Sequence, residues 1–367
     1  MIARVAVFVA GMAVVGWTVM SAITTVILPR STQSRITRAV FRTVRLPFDW
    51  LARESRSYDE RDRVMALFAP VGLVALPGAW LALLAGGYTA LFWSLHLGSV
   101  GEAFNLSGSS LTTLGFAAPR GTAEHVLAFT EAGLGLFMLT LMITYLPSMY
   151  SAFSRRETQV ALLEVRAGEP PSAVEFVLRH HRIGWLGQLD ATWLEWERWF
   201  AELEETHTTY AALSFFRSPR PGRSWVTAAG TMLDSASLMA AAVPVGSPGP
   251  KGVCIRSGYL ALRRIADFFG IAHDADPAPE DPISITRDEF DEVWARLADA
   301  GVPLVDDPVQ AWRDFAGWRV NYDTVLLAIA EITMAPYAPW TSDRSGPWRR
   351  RPRLGRFGGR IPDRPAG

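Results

Sequence analysis

Up to residue 154 the chain alternates long charge-free apolar stretches with short charged ones, whereas from Arg155 onward charges are spread evenly, as in a water-exposed domain. Residues 5–29 read VAVFVAGMAVVGWTVMSAITTVILP, without a charged side chain. At 1.5 Å per residue this run exceeds a hydrocarbon core of about 30 Å, which predicts a spanning helix within residues 1–29. Only Arg4 precedes the run, and the run is roughly twice the length of a signal-peptide core, so the helix is read as uncleaved. Residues 64–101 also lack Asp, Glu, Lys and Arg, but Gly86, Gly87, Ser94, His96 and Gly98 dilute the second half. A helix over 65–92 followed by a loop fits that pattern. Residues 132–154 form the third charge-free stretch, with a helix start near Thr122.

Charge orients the three spans. The connector 30–64 holds Arg30, Arg35, Arg38, Arg42, Arg45, Arg53, Arg56, Arg61 and Arg63, while Arg120 is the only arginine in the loop between the second and third spans. The arginine-rich side is cytoplasmic by the positive-inside rule. The N-terminus and the loop 99–121 are then outside, the part from residue 154 is cytoplasmic, and the chain is a multi-pass protein of the plasma membrane. Arg35, Arg38, Arg42 and Arg45 lie opposite Ile36, Val40 and Val44 at helical spacing, the pattern of an interfacial helix on anionic headgroups. These arginines lie outside the spans, which argues against a voltage sensor.

Composition changes this picture little. Lys and Arg balance Asp and Glu at 36 each, one cysteine, Cys254, excludes an intrachain disulfide, and no Cys/His cluster has zinc spacing. Lys251 is the only lysine.

The candidate chemistry lies in SVGEAFNLSGSSLTTLGFAAPRG, residues 99–121. Ser99 and Glu102 have the spacing of a capping box for a short helix ending near Thr112. Thr112, Thr113, Leu114, Gly115 and Phe116 follow, then Ala117, Ala118 and Pro119. This run resembles the pore loop of two-transmembrane potassium channels, whose filter reads Thr-Val-Gly-Tyr-Gly followed by Asp. The resemblance covers about residues 65–156: outer helix, pore helix, filter and inner helix. It places Thr113 at the filter threonine, Leu114 at the aliphatic position, Gly115 at the first glycine, where φ becomes positive, and Phe116 at the aromatic. Ala117 stands where the second glycine belongs and Ala118 where the acid belongs. An alanine with positive φ is strained by about 1 kcal/mol or more, so the outer filter is expected to take another conformation, with looser selectivity. One pore loop per chain implies a homotetramer conducting a monovalent cation, potassium in the first place.

In the third span Thr140, Thr144 and Ser148 recur every fourth residue on one face. Two readings stay open: hydroxyls lining a watery cavity, or hydroxyls satisfying their own helix. Pro147 removes the bond to the Ile143 carbonyl and is expected to kink the inner end, where a gate would lie. Gly133 and Gly135 would allow close approach to the pore helix. Glu131, an acid at membrane depth, either supports the filter from behind or sits at headgroup level near Arg120.

Beyond residue 154 the periodicity is helical, broken by Pro and Gly near 169–171, 218–222, 244–252, 276–282 and 301–308, which predicts five to seven helices over 154–340. Leu189, Trp193, Trp196, Phe200, Leu203 and His207 form one apolar stripe, facing the domain's own core or a symmetric bundle below the pore. GSPGPKG, residues 246–252, lacks a phosphate-loop ending and reads as a linker; Thr286 and Glu289 form a capping box. His180, His181 and His207 fit no triad or metal pattern, and no enzyme, cofactor or nucleic-acid site is expected. The basic tail 341–367 reads as disordered. The expected protein is therefore all-α: three transmembrane helices with a re-entrant pore helix and loop (pore domain 65–153), then an all-α cytoplasmic domain. A membrane-anchored scaffold that keeps the pore fold without conducting is the alternative.

Overall fold

The computed structural model describes residues 2–27, 34–54, 58–95 and 98–344; it is all-helical, without a strand among them. Three helices are long and apolar enough to cross a membrane: Ile2–Val26, Glu60–Ser94 and Thr122–Ala167. Contacts divide the chain into two compact units, Met1–Ala152 and Phe153–Gly367.

In the first unit α1 (Ile2–Val26) packs along α4 (Phe68–Ser94), and Trp80 Nε1 donates to Ser21 Oγ at 3.1 Å. Between them run α2 (Arg35–Glu54) and α3 (Tyr58–Ala66). Part of the apolar face of α2 is covered by protein, while Leu46, Trp50 and Leu51 on the same helix are exposed. Ile36 is buried, and Phe41 and Phe48 meet Phe68 edge-on at 6.2 and 5.9 Å, so α2 packs against the start of α4. Arg30 and Arg56 of the connector lie outside the described residues. Short α5 (Val100–Leu111) leads to α6 (Thr122–Ala167), which starts at the expected Thr122. α6 continues past the end of the charge-free stretch for 46 residues in all, about 69 Å, and runs through Pro147 without ending. Val5, Val9, Met12 and Trp17 on α1 and Phe129, Leu136, Leu139 and Ile143 on α6 are exposed, an outward face that suits a hydrocarbon solvent.

The second unit contains the last turns of α6, then α7 (Ala173–Arg182), α8 (Asp190–Thr209), α9 (Trp225–Ala242), α10 (Pro248–Phe269), α11 (Arg287–Asp299), α12 (Pro308–Arg319) and α13 (Asp323–Thr333). α9, built largely of small residues, is buried along almost its whole length and forms the centre on which α7, α10, α12 and α13 pack. The stripe of α8 faces this same core: Trp193, Trp196, Phe200, Leu203 and His207 are all buried. Thr286 and Glu289 make the capping box of α11.

Two linker assignments are corrected. Residues 248–252 of GSPGPKG form the first turn of α10, because a proline at the first helical position lacks only an N–H that would be unpaired there anyway. Lys251 is buried, with Nζ donating to the Val245 carbonyl at 2.9 Å. At the other end, Thr341 and Ser342 are buried and Arg344 binds Glu289, so residues 341–344 belong to the packed unit; the remainder of the basic tail lies outside the described residues.

Arginine forks hold several of the irregular segments. Arg179 donates to Val165 O, Arg263 to Ala275 O and Asn321 O, and Arg344 to Ser284 O, each a multi-donor fork reaching loop or helix-end carbonyls. The deepest fork is Arg319, which is fully buried: Nη1 donates to Asp234, Nε to Asp323 at 2.7 Å and Nη2 to Trp340 O at 2.6 Å. Tyr322 donates to Asp234 at 2.9 Å and Ser284 Oγ to Asp323 at 2.6 Å.

A second buried fork is Arg156, which donates to Leu213 O and Phe216 O and lies 3.2 Å from His207 Nε2. His207 Nδ1 faces Leu203 O at 2.9 Å, so the ring donates there and accepts from Arg156 as the neutral tautomer. Burial and then the Arg156 charge hold His207 well below the ordinary imidazole pKa. Such a group contributes stability above the unfolded-state value, near 6.5, and the contribution is lost as pH falls below it, at about 1.4 kcal/mol per pH unit. Thermal unfolding at pH 7.5 and 5.5 is expected to show this acid sensitivity, and His207→Gln is expected to reduce it.

Candidate functional site

The site is built on α5. Ser99 caps it, accepting from Glu102 N at 3.2 Å, and its face of Ala103, Leu106, Ser107 and Ser109 is buried against neighbouring helices of the first unit. Val100 and Phe104 on the other face are exposed. The C-terminal end of α5 lies close to α6: a Cβ on Gly135 would collide with the Leu111 carbonyl, so this glycine permits the approach. Gly133 faces open space and has no such role.

After Leu111 the helix stops within three residues. Thr112 Oγ1 turns back to Gly108 O at 2.6 Å, and Thr113 N bonds Ser110 O at 3.1 Å. Thr113 then takes φ +56 and Gly115 φ +71, both left-handed. The glycine matches its expected role. Ala117 does not take positive φ, in keeping with the conformation expected of an alanine there; the left-handed non-glycine residue of the loop is Thr113, at the position that ends a helix. Thr112, Thr113, Leu114, Gly115 and Phe116 are exposed, with Leu114 at 71% and Phe116 at 65%, while Ala117 is half-buried.

Ser109 is the loop's fixed point and was not singled out by sequence reasoning. It is 2% exposed; its carbonyl accepts from Leu114 N at 3.1 Å, and its hydroxyl accepts from Ala117 N at 3.0 Å and donates to Ala117 O at 3.3 Å. One side chain thus holds both backbone groups of Ala117. Ser109→Ala removes both bonds, worth about 1 kcal/mol, and is expected to raise amide exchange over 114–117 about fivefold, read by hydrogen–deuterium exchange.

No family model, curated protein or solved structure matches the chain. The geometry itself must therefore carry the functional reading.

On α6, Thr140, Thr144 and Ser148 share an exposed face with Pro147. Their hydroxyls donate to Leu136 O at 2.9 Å, Thr140 O at 3.2 Å and Thr144 O at 3.0 Å, so each satisfies its own helix. Glu131 is fully buried, with Oε1 2.5 Å from Ser107 Oγ. The backbone N–H of Arg120 donates to Glu124 at 2.7 Å. Ser107 was also missed. The available signal was the hydroxyl-rich run Ser107, Ser109 and Ser110 in a short helix between apolar spans. His180 bonds Phe176 O at 2.7 Å and lies against its ring, and His207 belongs to the Arg156 cluster.

Proposed function

We propose that the chain is one subunit of a tetrameric, potassium-type cation pore. The ion path runs along Thr112, Thr113, Leu114, Gly115, Phe116 and Ala117, with Thr140, Thr144, Pro147 and Ser148 on the cavity or gate face and Glu131 supporting the filter. The observation that carries this reading is α5 itself: a 12-residue helix delivering a loop with left-handed residues 113 and 115 between two long apolar helices. At about 18 Å, α5 is too short to cross a core of about 30 Å, so in this reading it enters and returns. Irregular backbone at that depth is tolerated where it lines water or is covered by protein, which four loops around an axis provide. The exposed Val100, Phe104, Leu114 and Phe116 supply the apolar surface that neighbouring copies would cover.

With Ala117 and Ala118 in place of glycine and acid, discrimination of potassium from sodium is expected to be weak. The arginine-rich connector puts the second unit in the cytoplasm and the N-terminus outside. Flux of potassium and sodium into liposomes containing the purified chain tests conduction.

The same two alanines favour a second reading, a membrane-anchored scaffold that keeps the pore fold without conducting. A monomeric mass in detergent would support the scaffold.

A further inference from the structure

Glu131 presents a proton-counting problem. Its side chain is fully buried, Oε2 has no hydrogen-bond partner, and no Arg, Lys or His among the described residues forms an ion pair with it. Its one partner, Ser107 Oγ, lies 2.5 Å from Oε1 and 3.1 Å from Ala85 O on α4. A serine hydroxyl has one hydrogen, so it cannot donate to both oxygens at once. Were Glu131 a carboxylate, it would be a buried charge with a single hydrogen bond, and Ser107 would turn a lone pair toward the Ala85 carbonyl.

We propose that Glu131 is a neutral acid that donates its hydrogen to Ser107, which donates its own to Ala85 O, forming an uncharged relay that ties α6 to α5 and α5 to α4. Every hydrogen then has an acceptor, and the unpartnered Oε2 is an acid carbonyl, a far smaller penalty than a bare charge. The titratable neighbour is Tyr88 on α4, whose hydroxyl donates to Thr130 Oγ1 at 3.1 Å and closes a second α4–α6 bridge one residue away. On α5 the only acid is Glu102 in the first turn, and on α6 Glu124 and His125 lie more than a turn back. The relay makes Glu131 a positioning residue: it fixes the helix that carries Ser109 and the loop.

Infrared difference spectra of the full chain in lipid, wild type against Glu131→Gln, test the relay independently of conduction. The expected result is a protonated-carboxyl C=O band present in the wild type, lost in Glu131→Gln and shifted in Ser107→Ala, which removes its acceptor. Gln donates the same bond, so Glu131→Gln is expected to keep the wild-type unfolding midpoint while Glu131→Ala and Ser107→Ala lower it. A difference spectrum showing loss of an ionised carboxylate, or a Glu131→Gln midpoint as low as that of Ser107→Ala, would overturn the relay and leave the pore reading untouched.

Discussion

Arg319→Leu is expected to destabilise the second unit by about 3–5 kcal/mol, the largest effect of any single substitution in this half. The guanidinium is fully buried and supplies donors to Asp234 on α9, Asp323 on α13 and the Trp340 carbonyl. Removing it strands two acids in the core, with only Tyr322 and Ser284 left as donors. Burial already pushes Asp234 up from its ordinary carboxylate value, with Arg319 opposing that shift, so without the arginine the acid must take up a proton. Chemical denaturation measures the loss. Asp234→Asn in the Arg319→Leu background is expected to recover part of it, because the neutral amide needs no proton uptake; equal stability of Arg319→Leu with and without Asp234→Asn would show that the loss does not fall on Asp234.

Gly115→Val is expected to reduce cation flux to background without unfolding the protein. At φ +71 a β-branched residue is strained by about 1–2 kcal/mol, enough to drive the loop into another conformation. A Cβ at this position meets nothing within 4 Å in the chain, so the effect acts on the backbone and not through a clash. The unfolding midpoint of the second unit is expected to stay at the wild-type value, which separates lost flux from lost folding.

Much of the architecture was legible in the residue pattern because charge is so costly in hydrocarbon. The charge-free runs gave all three long helices, and Thr122 gave the start of α6. Gly115 was readable as left-handed because a helix followed by Thr-Thr-Leu-Gly leaves few residues able to adopt positive φ, and the α8 stripe because its tryptophans need a core. The misses share a cause: local composition was overridden by packing. Arg155 and Arg156 marked the end of a span, but helical periodicity continues past them, and the buried Arg156 finds its carbonyls on other segments. The face of α2 read in sequence as one for headgroups, and its contact with Phe68 through Phe41 and Phe48 could be seen only in the fold. Pro248 broke the pattern of α10 on paper although it sits where helices accept it, and Thr113, a poor left-handed residue, takes that conformation where α5 ends, with Ser109 holding Leu114 and Ala117 just beyond it.

The central claim is that the loop after α5 conducts cations, and the most direct measurement is potassium and sodium uptake into liposomes holding the wild type or Gly115→Val. The account predicts uptake of potassium, with modest preference over sodium, that disappears in Gly115→Val. Equal background uptake of both cations by the two proteins would contradict it.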